Sequence, residues 1–199
     1  MYDCDALRES VAEPESRRAV RAELVRAMLD GGPGVIVSRR AFADASVVDA
    51  ASAVFHDIIA EQHAGGHAGG HAGGASQNPV PTITFGMRSK NSACARPKTF
   101  AAYYANEMLA LVCEAWLGPA YQMTSQSNVV NPGGEAQSAH SDYHLGFMTP
   151  AQMERYPAHV HRLSPVLTLQ GAVAHGAMPL KSAPTRYLPC NATSRATSW

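Results

Sequence analysis

Residues 121–144 read YQMTSQSNVVNPGGEAQSAHSDYH, and the period of two that opens this stretch decides the fold class. Gln122, Thr124, Gln126 and Asn128 point one way and Met123, Ser125, Ser127 and Val129 the other. That is the alternation of an extended strand, not of a helix. Asn131-Pro132-Gly133-Gly134 is a turn by chemistry, because proline presets φ and glycine accepts a positive one. A further extended stretch is predicted over 136–144. Downstream, Pro165–Ala174 reads as a buried strand, and Leu180–Pro189 as a turn followed by the start of another.

Upstream the period is helical. Residues from Leu7 to Asp30 read as one charged helix, with Val20, Leu24, Val25, Met28 and Leu29 at helical spacing and Gly31-Gly32-Pro33-Gly34 to end it. Val35-Ile36-Val37 is a short buried strand candidate. Asp44 is a good N-cap for a second helix, whose apolar face carries Val47, Val48, Ala51, Val54, Phe55, Ile58 and Ile59. Residues 100–117 read as a third helix, closed by Gly118 and Pro119. Helices first and strands later predict an α+β chain, an antiparallel sandwich or barrel with helices packed on one face.

Composition narrows the function classes. The 199 residues are 46% apolar, enough for one domain with a core. Lysine plus arginine equals aspartate plus glutamate, 16 each, so the chain as a whole has no nucleic-acid footprint and no polybasic membrane anchor. The first twenty residues are too charged for a signal peptide, and no apolar run reaches the roughly 20 residues of a membrane-spanning helix. A cytoplasmic location is expected. Cys4, Cys94, Cys113 and Cys190 form no C-x-x-C pair and are read as reduced structural thiols. Residues 63–74 are three copies of His-Ala-Gly-Gly. So much glycine predicts a flexible linker, although His63, His67 and His71 could also take a transition metal. The stretch from Ala75 to Pro97 reads as irregular.

The site candidate is His140-Ser141-Asp142, a spacing that by itself is weak evidence and reads equally as a surface histidine beside a turn carboxylate. A facial triad of two histidines and one carboxylate suits Fe(II) and leaves open positions for a co-substrate and O₂. Residues two apart on an extended segment project to the same side, so the imidazole of His140 and the carboxylate of Asp142 can reach one ion. His144 lies two further on. Three alternate positions span about 13 Å at 3.3 Å per residue, too far for all three to bind one ion, so His144 is read as a contact to co-substrate, substrate or a supporting group, or equally as a purely structural residue.

The residues around this site resemble the phytanoyl-CoA dioxygenase family. The resemblance rests on Ser127–Met148, on Tyr156–His175, on the Ala101–Met108 helix and on Trp116–Tyr121, and runs from about Thr99 to Pro189. It implies an Fe(II)- and 2-oxoglutarate-dependent dioxygenase. In that chemistry 2-oxoglutarate is decarboxylated to succinate and CO₂ while an aliphatic carbon of a small-molecule substrate is hydroxylated. The implied fold is a partial double-stranded β-helix (a jelly roll, cupin-like) with N-terminal helices packed on one sheet. His140 and Asp142 match the first two iron ligands. Gln126, Asn128, Gln170 and Arg186 are candidates for the co-substrate; Tyr143, His144 and His175 are candidates for substrate or supporting contacts. The expected divisions are 1–62 helical, 63–98 linker and irregular, 99–189 helix plus jelly-roll core, and 190–199 a tail. A small-molecule substrate is the expected partner, with no nucleic acid and no membrane.

The sequence also departs from the family's pattern. The turn expected near the later strand reads Ser182-Ala183-Pro184, with alanine where glycine is expected, at a cost of about 1 kcal/mol if φ there is positive. After Leu188-Pro189 the family continues to its distal iron-binding histidine and a basic residue for 2-oxoglutarate, whereas this sequence reads Cys190-Asn191-Ala192-Thr193-Ser194-Arg195-Ala196-Thr197-Ser198-Trp199. On that ground a weakly stable, inactive homologue acting as a non-catalytic or binding domain is the alternative expectation.

Overall fold

The computed structural model describes residues 1–29, 32–64, 83–86, 96–123, 126–129, 149–182, 184, 186 and 187. They fall into two compact units, one drawn from Met1–Ala43, Asn106–Tyr121 and Ala139–Trp199, the other from Asp44–Ala105 and Gln122–Ser138.

The first unit is organised by helix pairing. Strand β1 (Tyr2–Asp3) runs into helix α1 (Cys4–Ser10), and α2 (Pro14–Met28) follows. The single helix expected over Leu7–Asp30 is therefore two. Pro14 cannot donate a helical hydrogen bond and is tolerated at the first turn of α2, so the chain breaks at Val11–Glu13. Gly32 is forced by space: a Cβ there would run into the backbone carbonyls of Arg26 and Ala27. The strand expected at Val35–Val37 forms slightly later, as β2 (Ser38–Arg39), parallel to β1. Val37 still takes part, its carbonyl accepting from the Tyr2 amide at 2.8 Å. Arg40 follows in the left-handed region at φ 55, where its guanidinium is held by the Asp3 and Asp5 carboxylates.

Helix α5 (Glu107–Leu117) packs on α2. Leu24 and Leu111 meet at the centre of the core with Cys4 and Met108, all four at most 3% exposed. Charge pairs clamp the rim. Arg8 donates to Glu107 at 2.6 Å and Arg17 to Glu114 at 3.0 Å. Arg21 reaches the Glu114 carbonyl at 2.9 Å.

In the second unit, α3 (Ser46–Ala64) starts where Asp44 predicted, its carboxylate accepting from the Ser46 amide at 2.9 Å. Helix α4 (Pro97–Tyr104) packs on it. Ala51, Ile58 and Tyr103 are buried, and the Tyr103 and Tyr104 rings meet edge to face at 5.1 Å. The continuous helix expected over 100–117 is thus also two, because Asn106 competes for backbone hydrogen bonds and caps α5 instead of continuing α4. Strands β3 (Ile83–Gly86) and β4 (Gln126–Val129) pair antiparallel, Thr84 opposite Asn128 and Gly86 opposite Gln126. Strand β4 forms over the last four residues of the alternating stretch, whereas Tyr121–Met123 at its start have no regular structure. Strand β3 corrects the reading of Ala75–Pro97 as wholly irregular, since Ile83-Thr84-Phe85 has the β-branched and aromatic character that strands favour. Helix α3 likewise runs two residues into the stretch assigned to the linker.

The C-terminal part of the first unit holds α6 (Pro150–Met153), α7 (Ala158–Leu163) and a 3-10 turn at Ser164–Leu167. The short helix expected near Thr149–Arg155 is α6, where the Gln152 side-chain Oε1 accepts from the Thr149 amide at 2.9 Å. The buried strand expected over Pro165–Ala174 does not form. Its first residues wind into the 3-10 turn, and 168–174 run without regular structure and mostly exposed. Pro165, which has no amide hydrogen to give a ladder, stands at the start of that turn. Leu180–Ser182 is a second 3-10 turn, as the turn chemistry there suggested.

Candidate functional site

The candidate residues divide by where the structure places them. His140, Asp142, Tyr143 and His144 lie outside the described residues. Gln126 and Asn128 stand two apart in β4, in register with Gly86 and Thr84 of β3. Gln170 and Arg186 are exposed in the first unit. His175 sits at a bend; partial burial of its ring pushes its pKa below the ordinary histidine value, although much of the residue faces solvent. Its imidazole is consequently neutral at physiological pH, the form that binds metals and accepts hydrogen bonds. Among the described residues no group of three or more histidine, cysteine, aspartate or glutamate side chains is placed to hold a metal.

The structure adds a support that the sequence did not disclose. The Trp116 indole N–H donates to the Thr168 carbonyl at 3.2 Å, fastening the segment that carries Gln170 to helix α5. In the sequence Trp116 falls in the helix expected over 100–117 and in the Trp116–Tyr121 stretch of the resemblance; nothing in its spacing names a partner 52 residues away. Helix α5 is in turn placed by Asn106. Its side-chain oxygen accepts from the Met108 and Leu109 amides at 2.9 Å each, and its amide nitrogen donates to the Ala41 carbonyl at 2.9 Å. That same carbonyl accepts from Arg8 at 2.6 Å.

The electrostatics favour the protonated thiol at the described cysteines. Burial pushes the Cys4 thiol up, and burial with the Glu114 carboxylate beside it pushes up Cys113. Both are free thiols, and both stay protonated near neutral pH. Tyr121, four residues beyond α5, is raised by burial and then by Cys113 and Glu114, so its phenol also stays protonated. Among the described residues no helix is long and apolar enough to cross a membrane.

A family model matches the chain. The family model described as Phytanoyl-CoA dioxygenase (PhyH) covers residues 3–195. The matched span includes His140 and Asp142 and also runs beyond Pro189, into the stretch that reads as a departure from the family's pattern. No curated protein and no solved structure matches the chain.

Proposed function

The chain belongs to the phytanoyl-CoA dioxygenase family, and from that premise we propose that it is an Fe(II)- and 2-oxoglutarate-dependent dioxygenase that hydroxylates an aliphatic carbon of a small-molecule substrate. Membership carries a dioxygenase-type function in general; the metal, the co-substrate and the substrate class are the proposal. The observation that carries it is the family match over nearly the whole chain, with His140-Ser141-Asp142 inside it.

In this reading the His140 imidazole and the Asp142 carboxylate hold the ion. One neutral nitrogen and one anionic oxygen are the donor types that Fe(II) sites of this class use. When bound, the iron supplies activation of O₂ coupled to decarboxylation of 2-oxoglutarate. Asp142 offsets part of the metal's charge. Arg186 offers a fork of N–H donors that suits the far carboxylate of 2-oxoglutarate. Gln126, Asn128 and Gln170 are assigned to the co-substrate, and Tyr143, His144 and His175 to the substrate or to supporting contacts. A partial jelly roll is the proposed frame, which the antiparallel pairing of β3 with β4 supports.

The test is succinate release from 2-oxoglutarate by purified protein supplied with Fe(II), together with the absorption bands of bound Co(II) as a readout of the site itself. Loss of a supporting group around a metal ligand costs about 10–100-fold in affinity, so His140→Ala and Asp142→Ala should each cost at least that. Succinate formation that both variants leave intact would refute the ligand assignment. Neither succinate nor cobalt bands above the His140→Ala background would leave a non-catalytic binding domain in its place.

A further inference from the structure

The charge balance of the whole chain conceals a local asymmetry. Between Thr149 and Tyr187 stand four basic residues, Arg155, Arg162, Lys181 and Arg186, against one acid, Glu154, a local net charge of +3 (4 − 1) in a chain that is neutral overall. Three of these bases adjoin a large apolar side chain that the fold leaves in water. Leu163, next to Arg162, is 61% exposed; Leu180, next to Lys181, is 82% exposed; Tyr187, next to Arg186, is 59% exposed.

Burial along α7 and the following turn shows how one part of this surface is presented. Val160, His161 and Ser164 are the partly or fully buried positions. The His161 ring donates from Nε2 to the Met153 carbonyl at 2.9 Å, and Trp116 fastens the end of the turn to α5 through Thr168. The opposite side, at spacing i, i+3, i+4 and i+7, carries His159, Arg162, Leu163 and Val166, followed by Leu167 at 71% exposure. One cation, Arg162, and three aliphatic side chains therefore share one solvent-facing side of an anchored helical segment.

An acidic soluble protein would use the bases but not the aliphatic side chains, and a neutral apolar partner would leave the bases unpaired. An anionic lipid surface uses both. The apolar side chains enter the boundary between headgroups and acyl chains, while the arginine and lysine stems lie along it and keep their charges at the phosphates. We infer that the Arg162–Leu167 face docks this protein peripherally on an anionic bilayer.

Flotation of the full chain with vesicles tests this independently of any activity. Vesicles of phosphatidylcholine and phosphatidylserine in about equal parts should carry the protein upward, and pure phosphatidylcholine vesicles should carry much less. The difference should shrink as salt shortens the screening length from about 10 Å at 0.1 M toward 3 Å at 1 M. One basic residue near such a surface contributes about a fivefold preference, so Arg162→Gln should weaken partitioning about fivefold. Leu163→Ser with Leu167→Ser should weaken it on both vesicle types. Far-UV circular dichroism identical to wild type shows that the variants are folded; should either misfold, the salt and lipid dependence of the wild type decides alone. Absence of wild-type flotation, or equal flotation on both vesicle types, overturns the inference. A dimer in solution that Leu163→Ser with Leu167→Ser dissociates, without flotation, overturns it in favour of a second copy of the chain as the occupant.

Discussion

Replacing Asn106 with alanine should destabilise the first unit more than any other change at an uncharged polar side chain described in it. Asn106 is 8% exposed and makes three hydrogen bonds. Its oxygen caps α5 through the amides of Met108 and Leu109, and losing such a cap costs about 1 kcal/mol. The Met108 amide is buried, so its unmet donor adds about 1 kcal/mol. The third bond, to the Ala41 carbonyl, is partly insured because Arg8 keeps that oxygen paired. Its loss contributes about 0.5 kcal/mol. The total is about 2.5 kcal/mol. In a chain of this size that lowers Tm by about 5–10 °C. Urea unfolding followed by both circular dichroism and Trp fluorescence measures it, with coincidence of the two curves as the test of two-state behaviour. Asn106→Asp sharpens the reasoning. It keeps both caps and places a negative charge at a helix N-terminus, where charge of that sign is favoured, but it cannot donate to Ala41. Its cost should be less than half that of alanine. An alanine variant within about 0.5 kcal/mol of wild type, or an aspartate variant as damaged as the alanine one, would refute the assignment of Asn106 as the cap that positions α5.

Leu24→Ala should cost about 2–5 kcal/mol by opening a cavity against Leu111 and Met108, and calorimetry should show the loss without any change in far-UV signal at low temperature. Acid should loosen two helix starts. The Ser46 hydroxyl and amide hold the Asp44 carboxyl below its ordinary value. At Asp3, partial desolvation pushes the carboxyl up, but the Asp5 amide and the Arg40 guanidinium outweigh it and hold it low. A lowered folded pKa gives stability that is present above the ordinary carboxylate value near 4 and lost as pH falls through the folded one. Amide exchange at Ser46 and Asp5 should therefore accelerate, relative to Ala6, as pH drops below about 4; Asp44→Asn should remove the Ser46 response, and an unchanged response in that variant would refute the cap's role.

Local rules read from residue order account for part of this molecule. Asp44 announces α3, Gly118 ends α5 at φ 82, and the alternation through Gln126–Val129 yields β4. Each of these depends on side chains within a few positions of the backbone they act on. Pro14 and Asn106 were equally visible, yet the apolar periodicity running across them masked the breaks they impose. The strand expected at Pro165–Ala174 shows the reverse error: an apolar run without strict alternation does not specify an extended conformation, and the turn at Ser164–Leu167 took its first residues. The site divides in the same way. Residue type and spacing make His140 and Asp142 candidates, the resemblance assigns them to iron, and the family match spans both positions.

From residue order alone come the helical character of the N-terminal half, the family and the chemistry its donor atoms suit, because these depend on residue identity and on spacings of two to four positions. Tertiary structure alone decided that Trp116 would hold Thr168, that Arg8 and Asn106 would share the Ala41 carbonyl, and that Ile83–Gly86 would pair with Gln126–Val129. Those contacts join residues 33 to 65 positions apart in the hydrogen bonds to Ala41 and Thr168. No local preference encodes such partners; they are selected when the core closes and each polar group left inside must find a mate.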